Sequence, residues 1–362
     1  MQILILAFLV SLLCTLGIIR YAHLHEHLTA DHDLDGVQKF HDAPVPRVGG
    51  LSLALGLLAA GALVWLQKRS GSFVLVLLVA APAFAGGLVE DLTKRVGPLA
   101  RLLLTMLAAG CGFYALGAGL ARLDIGWLDA VLRWWPLSLV VTLVAVAGVA
   151  NAVNIIDGYN GLAGVVTLVM FCALAYVARQ VGDDQIWNIC LALVGALLGF
   201  LVWNYPRGHI FLGDGGAYLL GFLLAELSVL LVVRHPQVSA WFPLLLVIYP
   251  IVETLFSIYR RVVLRGRSPG MPDAAHLHQL VYKRLVRWVL NRSHPDFRLT
   301  RNAMTSPYLW MLSSLGVIPA VLFWQHTRVL QAFAVLFIVS YVWLYRSIVR
   351  FRSPRWLRRR SS

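Results

Sequence analysis

The sequence predicts an all-α integral membrane protein, a polytopic bundle of about eleven transmembrane helices. Three observations carry that expectation. Of the 362 residues, 59% are hydrophobic and only 13% charged, a balance far from that of a soluble core. Apolar runs of about 17–21 residues, the length that crosses a hydrocarbon layer, recur along the whole chain. Finally, 24 of the 31 Lys and Arg fall on one side if the connections alternate across a membrane with the N-terminus outside.

The first run, near 2–19, has neither a basic stretch ahead of it nor a small-residue cleavage site, so it reads as a retained helix. The second (50–66) and third (73–89) are separated by Lys68-Arg69-Ser-Gly, and the fourth (99–119) starts just after Gly97-Pro98. Segment 121–135 carries Leu123, Ile125, Trp127, Leu128, Trp134 and Trp135 but is too short to span. Tryptophan favours the headgroup level, so this segment is expected at the interface. The fifth run (136–153) ends in polar residues, and Gly158 and Gly161 then break it. The remaining runs lie near 162–178, 186–203, 216–233, 241–258, 307–324 and 329–345. Glu226 and Glu253 fall inside the eighth and ninth, where a charge is costly. In the long connection 259–306, Leu277, Leu280, Val281, Arg284 and Leu285 suggest an amphipathic helix near 275–290, lying on the membrane surface.

This gives one transmembrane catalytic domain over 1–345, with cytoplasmic loops 20–49, 90–98, 154–161, 204–215 and 259–306. A basic cytoplasmic tail follows over 346–362, suited to anionic lipid. The basic residues are interrupted by spans, which argues against nucleic acid as a partner. Cys14, Cys111, Cys172 and Cys190 all lie in apolar runs without metal-ligand spacing. The histidines at 23, 25, 27, 32 and 41 are irregularly spaced and read as a solvated loop.

Topology collects the unusual polar clusters on the basic side. They are Lys39 to Gly50, Glu90-Asp91, Asn151 to Gly161, Asn204 to Gly216 and His276-Leu-His278. Asn151, Asn154 and Asp157 recur every three residues, so a continuing helix keeps them near one face. Glu90, Asp91, Asp157 and Asp214 are hard oxygen donors with no zinc-type Cys or His set beside them. Such donors suit Mg²⁺, which keeps waters and shares itself with phosphates. His276 and His278, with Arg260, Arg261 and Lys283 nearby in sequence, could meet an anionic substrate from the other side. Gly213, Gly215 and Gly216 would let backbone approach phosphate.

Taken together, the motifs resemble those of the polyprenyl-phosphate N-acetylhexosamine-1-phosphate transferases, and more distantly the phospho-MurNAc-pentapeptide transferase. The resemblance spans roughly 36–290. It rests on Lys39-Phe-His41-Asp-Ala-Pro-Val-Pro-Arg47-Val-Gly-Gly50, Glu90-Asp91, Asn151-x-x-Asn154-x-x-Asp157-Gly-x-Asn160-Gly-Leu162, Asn204-x-Pro206, Phe211-Leu-Gly-Asp214-x-Gly216, Pro250-x-x-Glu253-Thr254 and Asp273-x-x-His276-Leu-His278. It implies ten or eleven transmembrane helices in a bacterial plasma membrane and a cytoplasmic, Mg²⁺-dependent site. The implied reaction moves a sugar-1-phosphate, by default GlcNAc-1-phosphate, from a UDP-N-acetylhexosamine to undecaprenyl phosphate and releases UMP. Such a step initiates a lipid-linked envelope glycan such as O-antigen. By motif position, Asp214 resembles the main metal ligand, with help from Asp157. Glu90 and Asp91 resemble the acidic pair that deprotonates or positions the acceptor, Asp91 being the better candidate. Lys39, His41, Asn154, Asn160, Asn204 and Phe211 resemble substrate contacts, and His276 and His278 the histidine loop.

The chain departs from that pattern at several positions. Glu90 and Glu253 stand where Asp is usual, Asn160 replaces a second Asp, and Gln279 follows His278 in place of a further His. His209 stands where Lys is frequent. A secondary transporter is the alternative of a different class, with Glu226, Glu253 and Asn154 as relays near the bilayer midplane. A CDP-alcohol phosphatidyltransferase ranks below both, since Asp157-Gly158 continues Tyr-Asn-Gly-Leu and lacks that signature.

Overall fold

The computed structural model describes residues 1–24, 45–266, 275–286 and 297–350. Fourteen α-helices form among them: α1 Gln2–Arg20, α2 Gly49–Lys68, α3 Ser72–Thr93, α4 Pro98–Ala115, α5 Gly126–Leu132, α6 Trp135–Ile156, α7 Leu162–Gln180, α8 Asp184–Asn204, α9 Gly213–Arg234, α10 Trp241–Leu246, α11 Ile248–Arg265, α12 Leu277–Leu280, α13 Phe297–Leu322 and α14 Thr327–Arg350. A π-helical turn, Val281–Val286, continues α12. Ten of these helices are long and apolar enough to cross a membrane, and the chain is an all-α multi-pass membrane protein.

The expected ninth span is the exception. It is divided at Val247, which ends α10 and begins α11. Pro250 explains the break: it has no N–H for the carbonyl of Leu246, and its ring crowds that carbonyl. Beyond the break α11 turns a polar face inward. Glu253, Ser257, Arg260 and Arg261 are buried, while Leu255, Ile258, Tyr259 and Val263 are exposed, the distribution a helix beside lipid requires.

α9 is the axis of the bundle. It is apolar all round and buries nearly its whole length against α2, α3, α4, α6 and α7. Within it Glu226 is fully buried, facing Gly112 of α4, and neither carboxylate oxygen has a hydrogen-bond partner among the described residues. α1 rests on α8, where Gly195 and Gly199 bring the two backbones together.

Segment 121–135 behaves as expected, with α5 short and Trp127, Trp134 and Trp135 exposed. The described part of the 275–290 segment, 275–286, differs from expectation, and 287–290 lie outside the described residues. Leu277, Leu280 and Val281 are buried against α13 and α14 rather than turned to a membrane surface. Arg284 donates to the carbonyls of Ile348 and Val349, closing the C-terminal end of α14.

At the end of the bundle away from the polar motifs, Asp124 ties three segments together. Its carboxylate accepts from Ser239 Oγ (2.9 Å), the Ala240 N–H (2.8 Å) and Thr327 Oγ1 (2.9 Å), and pairs with Arg122 at 3.0 Å. Burial works against its charge, but these donors and Arg122 outweigh it and hold its pKa below the ordinary carboxylate value.

Candidate active site

The C-terminal ends of α3, α6 and α8 and the N-terminal ends of α2, α7 and α9 meet at one end of the bundle. Asp91, at the end of α3, organises them. Its carboxylate accepts from the N–H groups of Asp214 (2.9 Å) and Gly215 (2.8 Å), placing an anion on the start of α9. Residues 46–50 bind the same start: Phe211 N–H donates to Pro46 O (2.9 Å), and Gly49 and Gly50 N–H donate to Phe211 O (3.0 Å) and Leu212 O (2.9 Å). Two positions in this crossing admit only glycine. A Cβ at Gly87 would lie 2.5 Å from the Asp214 carbonyl, and one at Gly50 would collide with the Gly216 backbone.

So fixed, Asp214 turns its side chain toward α4 and α6. Its Oδ1 accepts from Asn154 Nδ2 at 2.7 Å, and its Oδ2 pairs with the Arg101 guanidinium. Arg101 lies over the Tyr218 ring, 5.7 Å to the centroid, and Tyr218 Oη donates to Asn151 Oδ1 at 3.1 Å. Sequence reasoning missed Arg101, because it sits at the start of an apolar span ten residues beyond the nearest motif.

Asp157 follows the last turn of α6, within the electrostatic reach of Arg47, Asp214 and Asp91. Burial pushes its carboxyl up to about 7; Arg47 opposes that shift, and the Asp214 and Asp91 charges add to it. Arg47 was quoted within a motif but given no part in the site.

The turn after Asp157 is held by two residues expected to contact substrate. Asn204 accepts from the Gly161 N–H (2.7 Å) and donates to Ile210 O (2.7 Å). Asn160 donates through Nδ2 to Pro206 O at 2.9 Å. Its backbone N–H donates to Asn302 Oδ1 (2.9 Å), and its carbonyl accepts from Ser306 Oγ (2.6 Å). Both asparagines are buried: the Asn204 side chain braces the turn against α8, and the Asn160 side chain holds Pro206 O while its backbone is held by α13. A carboxylate at 160 could not donate to Pro206 O, which gives the Asp-to-Asn departure a physical reason.

The histidine loop reaches the same turn. His278 packs edge-on against Tyr159, ring centroids 5.6 Å apart, with Nε2 3.4 Å from where a Cβ on Gly158 would stand. His276 stacks on His278 at 5.2 Å. Gln279 Oε1 accepts from the His276 N–H at 3.2 Å, so the glutamine that replaces a further histidine closes the start of α12.

The acidic pair is divided in role. Asp91 is only 1% exposed, and each of its oxygens accepts an N–H from the start of α9. Glu90 is half-buried and accepts from the Val96 N–H through Oε2 at 2.7 Å. Phe211 stands in the segment that leads into α9. Lys39 and His41 lie outside the described residues.

Among the described residues no three acidic, His or Cys side chains converge tightly enough to enclose a metal. The donor set suits a hard cation nonetheless. The Asp214 charge raises the cost of ionising Asp157, and Asp214 already pairs with one cation, Arg101.

Comparison with known proteins agrees with this geometry. The sequence model of glycosyl transferase family 4 matches residues 73–232, from α3 to the end of α9. The probable undecaprenyl-phosphate N-acetylglucosaminyl 1-phosphate transferase of Bacillus subtilis is 28% identical over 291 residues, 76% of each chain. The decaprenyl-phosphate N-acetylglucosaminephosphotransferase of Mycolicibacterium smegmatis is 31% identical over 306 residues, 75% of this chain and 70% of its own. The undecaprenyl-phosphate alpha-N-acetylglucosaminyl 1-phosphate transferase of Yersinia pestis is 28% identical over 266 residues, 69% of each. An identity of this level sustained over so much of both sequences, and centred on the helices that build the site, means that the chain belongs to glycosyl transferase family 4.

Proposed function

We propose that this protein transfers N-acetylglucosamine 1-phosphate from UDP-N-acetylglucosamine to undecaprenyl phosphate, releasing UMP and starting a lipid-linked envelope glycan. The observation that carries the reading is Asp214, fixed by Asp91 and flanked by Asn154, Arg101 and Asp157 at one end of a membrane bundle. The names of the relatives support the same donor and acceptor classes. A secondary transporter finds no such support, since the relatives are named as transferases.

In this reading an acceptor phosphate oxygen attacks the sugar-linked phosphorus, and the bond from that phosphorus to the bridging oxygen breaks. The bridging oxygen leaves with UMP, so one diphosphate linkage replaces another. Where the acceptor arrives as a monoanion, Glu90 takes its proton, since both Asp91 oxygens hold α9. Arg101, Arg47, His276 and His278 meet the clustered phosphate charge. Mg²⁺ is the cofactor this reading requires, with the Asp214 and Asp157 carboxylates and the Asn154 amide oxygen to hold it. When bound it would neutralise the diphosphate and sharpen the electrophilic phosphorus.

An apolar cavity of about 360 Å³ between α6, α9, α10 and α11, lined by Val146, Val149, Val229, Trp241, Leu244 and Ile251, suits an isoprenoid chain. The excess of Lys and Arg at the site end favours a bacterial plasma membrane with the site facing the cytoplasm and the N-terminus outside.

The test is transfer to undecaprenyl phosphate from a panel of labelled UDP-sugars, with the lipid product identified. Asp214→Asn should insert normally yet lose Mg²⁺-dependent transfer by at least about 100-fold. UMP release at the wild-type rate from that variant would sink the assignment.

A further inference from the structure

α14 lies outside the residues matched by the family model. Tyr341, fully buried on that helix, donates through Oη to Glu253 Oε2 at 2.9 Å. Glu253, 1% exposed on α11, accepts through its other oxygen from His276 Nδ1 (3.0 Å) and from the Leu277 N–H (2.9 Å). A carboxylate is an acceptor only, so His276 carries a proton on Nδ1, donated to Glu253. The orientation passes onward, because His276 stacks on His278 with the rings 6° from parallel, and His278 rests on the turn that follows Asp157.

One turn further along α14, Tyr345 lies on the same face. Its hydroxyl donates to Ala275 O at 3.1 Å, and Arg260 reaches both groups. Phe256 packs between the two tyrosines, at 5.6 Å from Tyr341 and 4.7 Å from Tyr345. The histidine loop is thus fastened at its backbone by Tyr345 and at its first imidazole by Tyr341, through Glu253. Glu253 stands where the family pattern has Asp, and its extra methylene gives one carboxylate reach across from α11 to both the loop and α14.

We propose that Tyr341 is a positioning residue for the transfer reaction, acting through Glu253 to set the tautomer and ring orientation of His276 and, by stacking, of His278. This rests on the function proposed above, in which the two imidazoles meet the diphosphate.

Tyr341→Phe keeps the ring against Phe256 and removes only the hydroxyl. The expected result is a fall in kcat of about 10- to 100-fold, with the KM for UDP-N-acetylglucosamine changed by less than about threefold. The decisive comparison is the double variant. In a His276→Ala background, Tyr341→Phe should cost less than about twofold, since its route to the site is gone. Two results overturn the proposal: wild-type kcat in Tyr341→Phe, or losses that multiply in the double variant as for independent structural damage. A readout independent of turnover is ¹⁵N-imidazole NMR of the detergent-solubilised protein. His276 should show the Nδ1–H form in the wild type and lose it in Glu253→Gln, and a wild type with the Nε2–H form also overturns the proposal. Failure of transfer by a wild type that shows the Nδ1–H form would instead count against the reaction assigned to the site.

Discussion

Arg101 is the residue whose removal separates two electrostatic accounts of the centre. Its guanidinium neutralises Asp214 while stacked on Tyr218, which keeps one fixed cation within reach of the place where substrate phosphates would gather. If it stabilises charge in the transfer step, Arg101→Gln should lower kcat/KM by about 100-fold. If it only offsets the Asp214 charge, steady-state kinetics of the variant will match the wild type. The same residue shows where sequence reading stops. Glu90, Asp91, Asn154, Asp157 and Asp214 stand out because carboxylates and amides are expensive at the edge of a hydrocarbon layer. Arg101 looks like ordinary flanking charge until the fold brings α4 beside α9. Asn204 shows another limit: that its amide braces the backbone at Gly161 and Ile210 is visible only in the fold.

At the scale of elements, the helices were legible because a bilayer admits little else: each crossing needs about twenty apolar residues with all backbone groups paired internally. The break at Val247 was not, since the sequence is apolar on both sides of it and hydropathy has no view of a missing N–H at Pro250. Nor was the Asp124 joint, which gathers the 120s loop, the approach to α10 and the start of α14. Hydrogen bonds to a charged group each contribute about 1.5–3 kcal/mol, so Asp124→Asn should destabilise the protein by roughly 2–3 kcal/mol in a thermal-unfolding assay, leaving the transfer site intact. The pH dependence has a definite sign. The folded pKa of Asp124 lies below its unfolded value near 3.9, so its contribution is complete above that value and lost as pH falls through the folded pKa. The gap between wild type and Asp124→Asn should therefore begin to narrow as pH falls below about 3.9 and close only below the folded pKa, and an equal gap at pH 7 and pH 3 would contradict this.

For the whole molecule, the polar groups divide between two ends with different tasks: chemistry at one, fastening at the other. The proposed orientation puts the fastening end outside. In intact cells a membrane-impermeant maleimide should label Lys68→Cys, at the exposed end of α2, and spare Arg95→Cys, beside the site end of α3. The reverse pattern would invert the topology and remove the cytoplasmic donor from consideration. The architecture class followed from composition and charge asymmetry alone. The gathering of the polar motifs at one end followed from the topology as well, but the places of Arg47 and Arg101 beside Asp157 and Asp214 did not, because they depend on how the helices pack.

The link from Tyr341 through Glu253 to His276 bears on biogenesis as well. Helices enter the membrane in the order of synthesis, so α1 to α11 are inserted while α14 is still on the ribosome. Asp91 can seat Asp214 as soon as α9 has entered, but the imidazoles gain their fixed orientation only with the final helix. A nascent chain released near Leu322 would carry every acidic group of the centre and still lack the tyrosine that holds His276 through Glu253. On the proposal made for Tyr341, synthesis itself then acts as a timer, full turnover waiting until the polypeptide has been threaded through α14.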